Sequence, residues 1–511
     1  MVCAAARAAR RPPLRAPWNT LIVSPVFPPS IVNGGGVSIT LDALSRRLTA
    51  RGGSVDVLSP AIGNLDAYEQ AWYPGFRHIF PGVRNMARIW AAVRRADVVV
   101  APDSTLVPYV ALMCRLLRTP MMYQVHTDVA CLLRGGHGHG CCDGSGALSG
   151  RCIARIVDVW FALGSRLATR TLTTSPSYAR LVRRRGYVVA GAFSPRIKTA
   201  IFEVDDAAED VAAARAWLSG GRPDRLLLLH VSRLSPEKRI GLVVAAKPPG
   251  AILAIVGNGP QRDEIAAMHD EARGVVVHIG IVAQDRLRLL YKAADCLLSA
   301  SAFETLGMTV MEAHLCGTPA VVERTCAPFV AQIVDEGPAD GELCNGALAD
   351  FDDADAARAT ISALLARRLD PRDVARTVTV VAERASESAA SREMATSPTS
   401  VTAPPTAGTA GTAGTAIGTA TTAISTAAAA SAATVWDAGL PALDDIVDEV
   451  ATRGRERAAV HTAAGACAEL GNAACVPVAL LVWAMQMLLW LILRATGSTK
   501  KVSWSRNSSS Y

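Results

Sequence analysis

The chain has 511 residues, half of them apolar, with a net charge of +7 and only 5% aromatic residues. Its length predicts two to four domains. The alternation of apolar runs with helical patterns favours an α/β protein with buried parallel strands. The scarcity of aromatic residues beside the basic runs argues against a nucleic-acid-binding module. Twelve scattered Cys in such a chain indicate reduced thiols rather than a disulfide framework.

The N-terminal stretch 1–17 contains four Arg and no acidic residue. This composition is typical of a short organellar transit segment, and an unstructured basic arm remains the alternative. Apolar residues at 20–26 then predict a buried strand. A glycine loop at 33–36 and a helix at 37–50 follow, and with a second strand at 54–58 they form a βαβ unit.

Further strands are predicted at 97–101, 121–125 and 171–174, so that 18–195 forms one doubly wound domain. His126 begins the string His-Thr-Asp directly after the strand 121–125, where a parallel sheet opens onto its ligand crevice. A His at this place is suited to accept the proton of an acceptor hydroxyl, with Asp128 orienting it. A core or surface histidine remains the alternative.

One cysteine and histidine cluster lies in a Gly-rich stretch of this domain. It contains no Cys-x2-Cys pair, and the side chains of two adjacent Cys splay apart, so we expect no metal there. Its members are Cys131, His137, His139, Cys141, Cys142 and Cys152.

A second αβ series fills 196–394. Arg233 and Lys238 follow its first strand, and two cations at the carboxyl end of a strand are suited to neutralise a departing diphosphate without a metal. Surface charge remains the alternative. Gly257 and Gly259 follow the next strand and allow either close approach of a ligand or a tight turn. The predicted strands are 226–231, 252–256, 275–279 and 296–299.

The stretch 299–322 predicts a strand, a helix from about Thr305 to Gly317, and a further short strand. A helix N-terminus just past a strand end offers free N–H groups and a positive dipole end, which favour a phosphate. Gly307 has no Cβ to obstruct such a ligand. Glu304 and Glu312 flank the helix start and are suited to accept hydrogen bonds from sugar hydroxyls.

The spacing Glu304-x7-Glu312, followed by Ala313 and then Gly-Thr-Pro, resembles the donor signature of retaining GT-B glycosyltransferases of family 4. The pair Arg233-x4-Lys238, the Gly-x-Gly-Pro turn and the His-Thr-Asp string are similar to other motifs of that family. Within it the chain is most similar to sulfolipid synthases, and GDP-mannose-dependent mannosyltransferases share the same motifs. Ser232 and Cys326 stand where the family usually has glycine.

The resemblance implies two Rossmann-like domains that face a cleft, and sugar transfer with retention, without a metal or other cofactor. The implied substrates are UDP-sulfoquinovose and diacylglycerol, or GDP-mannose as an alternative donor; a catalytically inactive module and an epimerase are rival classes. Family roles carried onto matching positions assign the diphosphate to Arg233 and Lys238, the donor sugar to Glu304 and the ribose to Glu312. They assign phosphate oxygens to Thr305, Leu306 and Gly307, and the turn near the donor to Gly257 and Gly259. In the first domain they assign loop closure on the donor to Gly35 and the acceptor side to His126.

The C-terminal part changes composition. From 395 to 435 no residue is charged, and we predict a disordered linker. A helical segment is predicted at 436–469. The uncharged run 473–493 would span about 31 Å as a helix, which predicts a membrane anchor within 470–511 and, with the basic arm, a chloroplast envelope location. The Asp353-x-Asp355 pair is interpreted as a helix cap rather than a metal motif.

Overall fold

The structure is a computed structural model. It describes residues 17–28, 31–70, 73–131, 146–193, 199–202, 204–335, 343–378, 381, 443–462 and 499–502. Two six-stranded sheets, each parallel throughout, account for most of the fold. The prediction of two α/β domains with buried parallel strands is therefore confirmed.

The N-terminal sheet has the strand order β2-β1-β5-β6-β7-β8. Strands β1, β5 and β6 are buried along nearly their whole length, which explains why their sequences are mostly apolar. The strands are β1 (Asn19–Val23), β2 (Ser54–Leu58), β5 (Val98–Pro102), β6 (Met121–Val125), β7 (Arg170–Thr173) and β8 (Gly191–Ala192), and the helices of this domain are α1 (Ile31–Ala50), α2 (Val83–Val93), α3 (Val107–Leu116), α4 (Gly146–Leu167) and α5 (Pro176–Arg184).

A small antiparallel sheet adjoins this domain. Strands β3 (Ala67–Gln70) and β4 (Tyr73–Ile79) form a hairpin, and β15 (Thr499–Val502) pairs with β3. The sequence analysis did not predict these strands.

The C-terminal sheet has the order β11-β10-β9-β12-β13-β14. All its neighbouring strands run parallel, and β9 and β12 lie side by side at its centre. The strands are β9 (Leu227–Val231), β10 (Ile252–Gly257), β11 (Val275–Ile279), β12 (Cys296–Ser299), β13 (Ala320–Glu323) and β14 (Gly346–Ala349), and the helices are α6 (Thr199–Phe202), α7 (Ala208–Leu218), α8 (Ile240–Ala246), α9 (Arg262–Ala266), α10 (Gln284–Ala293), α11 (Met308–Leu315), α12 (Ala327–Val330) and α13 (Ala354–Ala366). Helical residues also occupy 371–378.

One local prediction is wrong. Helix α1 begins at Ile31, so the glycines at 34–36 lie within a helix and not in a loop before it. Glycine has poor helix propensity, but a larger residue at position 36 would press on a side chain of the other domain. A Cβ on Gly36 would lie only 2.8 Å from Met308 Sδ in the other domain.

Asp353 does cap a helix, as predicted. Its carboxylate accepts hydrogen bonds from the backbone N–H groups of Asp355 and Ala356 at 3.1 and 3.0 Å. These bonds satisfy two amides in the first turn of α13, which have no acceptor within the helix.

The last long helix of the described chain, α14 (Leu443–Thr462), packs back onto the N-terminal domain. Ile446, Val447 and Val450 are buried in a cluster with Trp18 and Ile22. Ion pairs add to this contact at its edge: Glu449 with Arg170, and Asp445 and Asp448 with Arg51.

Several predictions concern residues outside the described ranges. These are the arm before residue 17, the linker 395–435, the start of the helical segment at Trp436, the run 473–493 and most of the cysteine and histidine cluster. Within the described part of the chain, no helix combines the length and apolar character needed to cross a bilayer. Cys114, Cys296, Cys316, Cys326 and Cys344 are free thiols.

The packing of α14 predicts a stability effect. Ile446 is 1% exposed, and we expect Ile446→Ala to lower the free energy of unfolding by about 2–5 kcal/mol, because it leaves a cavity in a closed core. Urea denaturation of the full chain, followed by tryptophan fluorescence, measures the change. Thr452→Ala, at an exposed position of the same helix, is the control and should change stability by less than about 0.5 kcal/mol. Equal stability of both variants would contradict the docking of α14.

Candidate active site

A cavity of about 410 Å³ lies between the two domains. Its walls come from residues that follow the carboxyl ends of β1, β5 and β6 on one side and of β9 and β12 on the other. Because loops at this edge of a parallel sheet form the ligand crevice of open α/β folds, the cavity lies where the topology favours a binding site.

Direct bonds join the domains at this cavity. The backbone carbonyl of Thr305 accepts hydrogen bonds from Thr174 Oγ1 at 3.0 Å and from Ser175 Oγ at 2.6 Å. The two hydroxyl groups follow β7 of the N-terminal domain, whereas Thr305 lies between β12 and α11 of the C-terminal domain. The loop that precedes α11 is therefore held against the opposite domain.

Two cations line the C-terminal side of the cavity. Lys238 Nζ forms an ion pair with Glu304, which joins the loop after β9 to the loop after β12. Arg233 Nη2 bonds Glu237 Oε1 at 2.7 Å. Burial acts to raise the pKa of Glu237, but the neighbouring Arg233, Ser235 hydroxyl and Lys238 lower it overall, so this carboxylate is ionised at neutral pH.

The N-terminus of α11 faces the same cavity, because Met308 and Thr309 of its first turn line it together with the preceding Thr305, Leu306 and Gly307. Gly307 adopts φ 82°, and a Cβ there would lie 2.7 Å from Phe329 Cε1. A positive φ and close packing together require glycine at this position. The first N–H groups of a helix have no acceptor within it and carry its positive dipole end, so this edge is suited to an anion.

The N-terminal side of the cavity contains the carboxylate of Asp103. Its Oδ2 accepts the backbone N–H groups of His126 and Thr127 at 2.5 and 2.6 Å, and Oδ1 accepts the hydroxyl of Tyr123 at 2.9 Å. Burial raises the pKa of Asp103 to about 7, although these three donors act in the opposite direction. Asp103 thereby fixes the turn that carries His126.

His126 lines the cavity and is 7% exposed. Its Nε2 lies 2.9 Å from Gln124 Oε1, and its ring contacts Phe193 edge-on at 5.3 Å. Burial lowers the pKa of His126 to about 3, so the ring is neutral at physiological pH and is a weak base.

The expectation that Asp128 orients His126 is wrong. The Asp128 carboxylate accepts two hydrogen bonds from Arg185 Nη1 at 2.6 and 2.8 Å and one from the backbone N–H of Cys131 at 2.9 Å. Gln124 and the bonds of Asp103 to the turn hold His126 instead.

The cavity does not bring all predicted site residues together. Gly257 and Gly259 pack beneath the loop after β9. A Cβ on Gly257 would lie 2.0 Å from the carbonyl oxygen of Ser232, and a Cβ on Gly259 would lie 2.3 Å from that of Leu234. Gly35 lies in α1, beside the cavity-lining Gly36. Gly257 and Gly259 are not among the described residues that line the cavity.

Glu312 also lies away from the cavity. It is 5% exposed, and its Oε2 accepts the hydroxyl of Tyr291 at 2.9 Å. Burial raises the pKa of Glu312 to about 7, while the bond from Tyr291 lowers it. In this structure the side chain is part of the contact between α10 and α11.

Asp103 and the hydroxyl pair of Thr174 and Ser175 were not among the site residues predicted from the sequence. Asp103 follows a predicted buried strand, so the argument that identified His126 applied to it equally. Ser175 precedes Pro176 at a helix start and caps α5 through the N–H of Tyr178. That signal predicts a cap but not a bond across the cleft.

The burial of Glu312 predicts a pH-dependent stability. Because its folded pKa is raised, folding favours the protonated carboxyl; this stability is present below pH about 4.5 and is lost as pH rises through about 7. In the unmodified protein, the free energy of unfolding should fall by on the order of 1 kcal/mol per pH unit across that window. We expect Glu312→Gln to abolish this fall, because glutamine does not titrate. Denaturation of both proteins between pH 5 and 8 measures the difference, and parallel pH profiles would contradict it.

Two models of protein families match separate parts of the chain. The model described as "Glycosyltransferase Family 4" matches residues 34–190, and "Glycosyl transferases group 1" matches residues 219–378. Each match falls within one of the two parallel-sheet domains.

Three curated relatives show the range of similarity. Sulfoquinovosyl transferase SQD2 of Arabidopsis thaliana is 34% identical over 112 residues, which cover 22% of each chain. Alpha-monoglucosyldiacylglycerol synthase of Streptococcus pneumoniae is 32% identical over 21% of this chain and 26% of its own. D-inositol 3-phosphate glycosyltransferase of Acidothermus cellulolyticus is 27% identical over 60% of this chain and 76% of its own. The matches to the first two thus span about a quarter of each relative's length or less.

Among solved structures, Anabaena Alr3699/HepE, determined in complex with UDP and glucose, has a TM-score of 0.51 and 16% identity. The likeness covers 74% of this chain and 98% of that one. Together with the two family models, which each match one part of the chain, it shows that the chain has the GT-B glycosyltransferase fold.

Proposed function

We propose that this protein transfers a hexose from a nucleotide diphosphate sugar to a membrane glycerolipid, with retention of anomeric configuration. The observation that carries the proposal is the convergence of Arg233, Lys238 and the N-terminus of α11 in one cavity, opposite His126 of the other domain. The similarity to named glycosyltransferases supports the reaction class.

The cationic side of the cavity is suited to the leaving group. Breaking the bond between sugar and nucleotide leaves a diphosphate with growing negative charge. Arg233, Lys238 and the helix N-terminus are fixed donors that stabilise this charge more in the transition state than in the ground state. On this proposal, the Lys238–Glu304 pair holds the lysine in place, and Glu304 also accepts hydrogen bonds from donor-sugar hydroxyls.

These cations make a bound metal unnecessary in the proposed reaction. We propose a metal-independent reaction in which Arg233 and Lys238 stabilise the diphosphate.

The acceptor side has a different character. None of the described N-terminal residues that line the cavity is Lys or Arg, and the two histidines there, His78 and His126, have pKa values lowered by burial to about 3. A neutral hydroxyl such as that of diacylglycerol fits this wall better than a phosphorylated acceptor. On this basis we place His126 as a hydrogen-bond acceptor for the incoming hydroxyl rather than as a strong base.

We propose diacylglycerol as the acceptor and sulfoquinovose as the transferred sugar, by similarity to the sulfoquinovosyl and glucosyldiacylglycerol enzymes named above. Attachment to a membrane through 473–493, at the chloroplast envelope, completes this proposal. The longest of the three matches, to a D-inositol 3-phosphate glycosyltransferase, favours a second candidate in which a soluble inositol phosphate accepts the sugar. GDP-mannose is the alternative donor in either case.

A donor and acceptor panel tests the proposal. The purified full chain in detergent is incubated with UDP-sulfoquinovose, UDP-glucose or GDP-mannose, and with diacylglycerol or D-inositol 3-phosphate. We expect a glycosylated diacylglycerol by mass spectrometry, an α-anomer from an α-linked donor by NMR, and unchanged turnover with EDTA. Transfer only to inositol phosphate would favour the second candidate, and absence of any transfer would favour an inactive module.

Removing one cation tests the mechanism. Lys238→Ala and Arg233→Ala should each lower kcat by on the order of 10²-fold or more, because each removes a fixed charge from the leaving diphosphate. Lys292→Ala is a matched control: it removes another paired lysine of the same domain, bonded to Asp206 outside the cavity. Its kcat should stay near that of the unmodified protein. Near-full activity of both cavity variants would contradict the mechanism.

A further inference from the structure

One helix of the N-terminal domain exposes apolar side chains to solvent. On α4, Ile156 is 50% and Val159 is 59% exposed, and Val188 beyond α5 is 57% exposed. The segment around Val188 lies directly on α4, because its backbone N–H donates to Ser165 Oγ at 2.9 Å. Burial of these side chains against a partner would remove apolar surface from water.

Arginine surrounds these apolar residues. The exposed members are Arg155, Arg166, Arg180, Arg183 and Arg184. Bonds from Arg166 to the Gly186 carbonyl and from Arg183 to the Val189 carbonyl place α4 and α5 on one continuous surface. We call these five arginines, with Ile156, Val159 and Val188, the arginine face.

Acidic side chains are scarce on this surface. Between 104 and 193 the described acidic residues are Asp128 and Asp158, which are 4% and 1% exposed. Arg185 lies between them, 2.6 Å from Asp128 and 3.9 Å from Asp158. The described part of 104–193 therefore contributes no exposed acidic side chain to the face.

The arginine face adjoins the acceptor side of the cavity. Helix α4 carries Ile156 and Val159 on its exposed side and Phe161, which lines the cavity, on its buried side. Asp128 also lines the cavity and bonds Arg185, which follows α5. A partner bound to the face would lie beside the acceptor end of the site.

We propose that the arginine face docks the N-terminal domain on an anionic lipid bilayer, next to the cavity opening through which a lipid acceptor reaches His126. This inference rests on the proposed lipid acceptor. Guanidinium groups pair with phosphate oxygens of the headgroups, while the aliphatic side chains enter the interface. Only three aliphatic residues contribute, so binding is reversible and its strength depends mainly on charge.

Vesicle flotation with the full chain tests the docking surface. Vesicles of phosphatidylcholine alone are compared with vesicles that also contain phosphatidylglycerol. Arg180→Glu with Arg184→Glu should weaken binding to the anionic vesicles by about tenfold or more, since each basic residue near such a surface contributes a few-fold. Ile156→Ser with Val159→Ser should also weaken it. Added salt should reduce binding by the unmodified protein.

A matched control separates this surface from general charge. Arg262→Glu with Arg273→Glu makes the same charge change at exposed positions of the C-terminal domain, 60% and 86% accessible, and should leave binding unchanged. Circular dichroism and thermal midpoints confirm that the variants fold. Equal binding by all proteins, or equal binding to neutral and anionic vesicles, would overturn the proposal and point to the apolar run 473–493 as the attachment.

Failure of the vesicle-binding test can be distinguished from failure of the proposed function in the transfer assay. Transfer to diacylglycerol in detergent without any binding to vesicles would overturn the docking surface and leave the function standing; an acidic protein would then be the partner to seek. Charge-dependent vesicle binding without transfer from any donor would support the docking surface and remove the function.

Discussion

The structure depends on the contact that brings two sheet edges face to face. A parallel sheet gathers its loops at the carboxyl ends of its strands, so each domain alone presents only half of a site. The bonds from Thr174 and Ser175 to the Thr305 carbonyl join these edges. The close approach of α1 to α11 at Gly36 and Met308 adds a second contact. Through these contacts His126 of one domain and Lys238 of the other line the same cavity.

The two cations of the cavity, Arg233 and Lys238, each form a specific ion pair. Arg233 and Lys238 each bond a carboxylate of their own domain, Glu237 or Glu304. An unpaired charge in a partly buried cavity would be costly, and the carboxylates remove that cost while fixing both side chains. An incoming diphosphate then meets cations already in position, so little reorganisation remains for the reaction itself. Strands β9 and β12 are neighbours in the sheet, so the loops that follow them hold both cations and their carboxylate partners close together.

The sequence predicted the parts of the fold that depend on local patterns. Buried strands such as β6, β9 and β12 are mostly apolar, and their ends identified His126, Arg233, Lys238 and Glu304. Predictions failed where contacts between distant residues decide the outcome. Glu312 points towards Tyr291 because α11 packs on α10, and the eight-residue spacing from Glu304 does not encode which face of the helix is covered. The glycines before Val37 predict a loop because their helix propensity is low, whereas they lie within α1, where Gly36 packs closely against Met308 of the other domain.

The two walls of the cavity differ in charge, and on the proposed function this difference determines which substrate binds at which wall. The C-terminal wall holds two cations and a helix N-terminus, which attract a diphosphate. The opposite wall holds neutral histidines and the carboxylate of Asp103, whose partners are N–H and O–H donors of its own domain. A second phosphate would find no described cation on that wall. On the proposed function, this asymmetry favours a nucleotide diphosphate at the C-terminal wall and an uncharged hydroxyl as acceptor at the other. Arg185 bonds Asp128 of the acceptor wall and follows α5, which carries part of the arginine face.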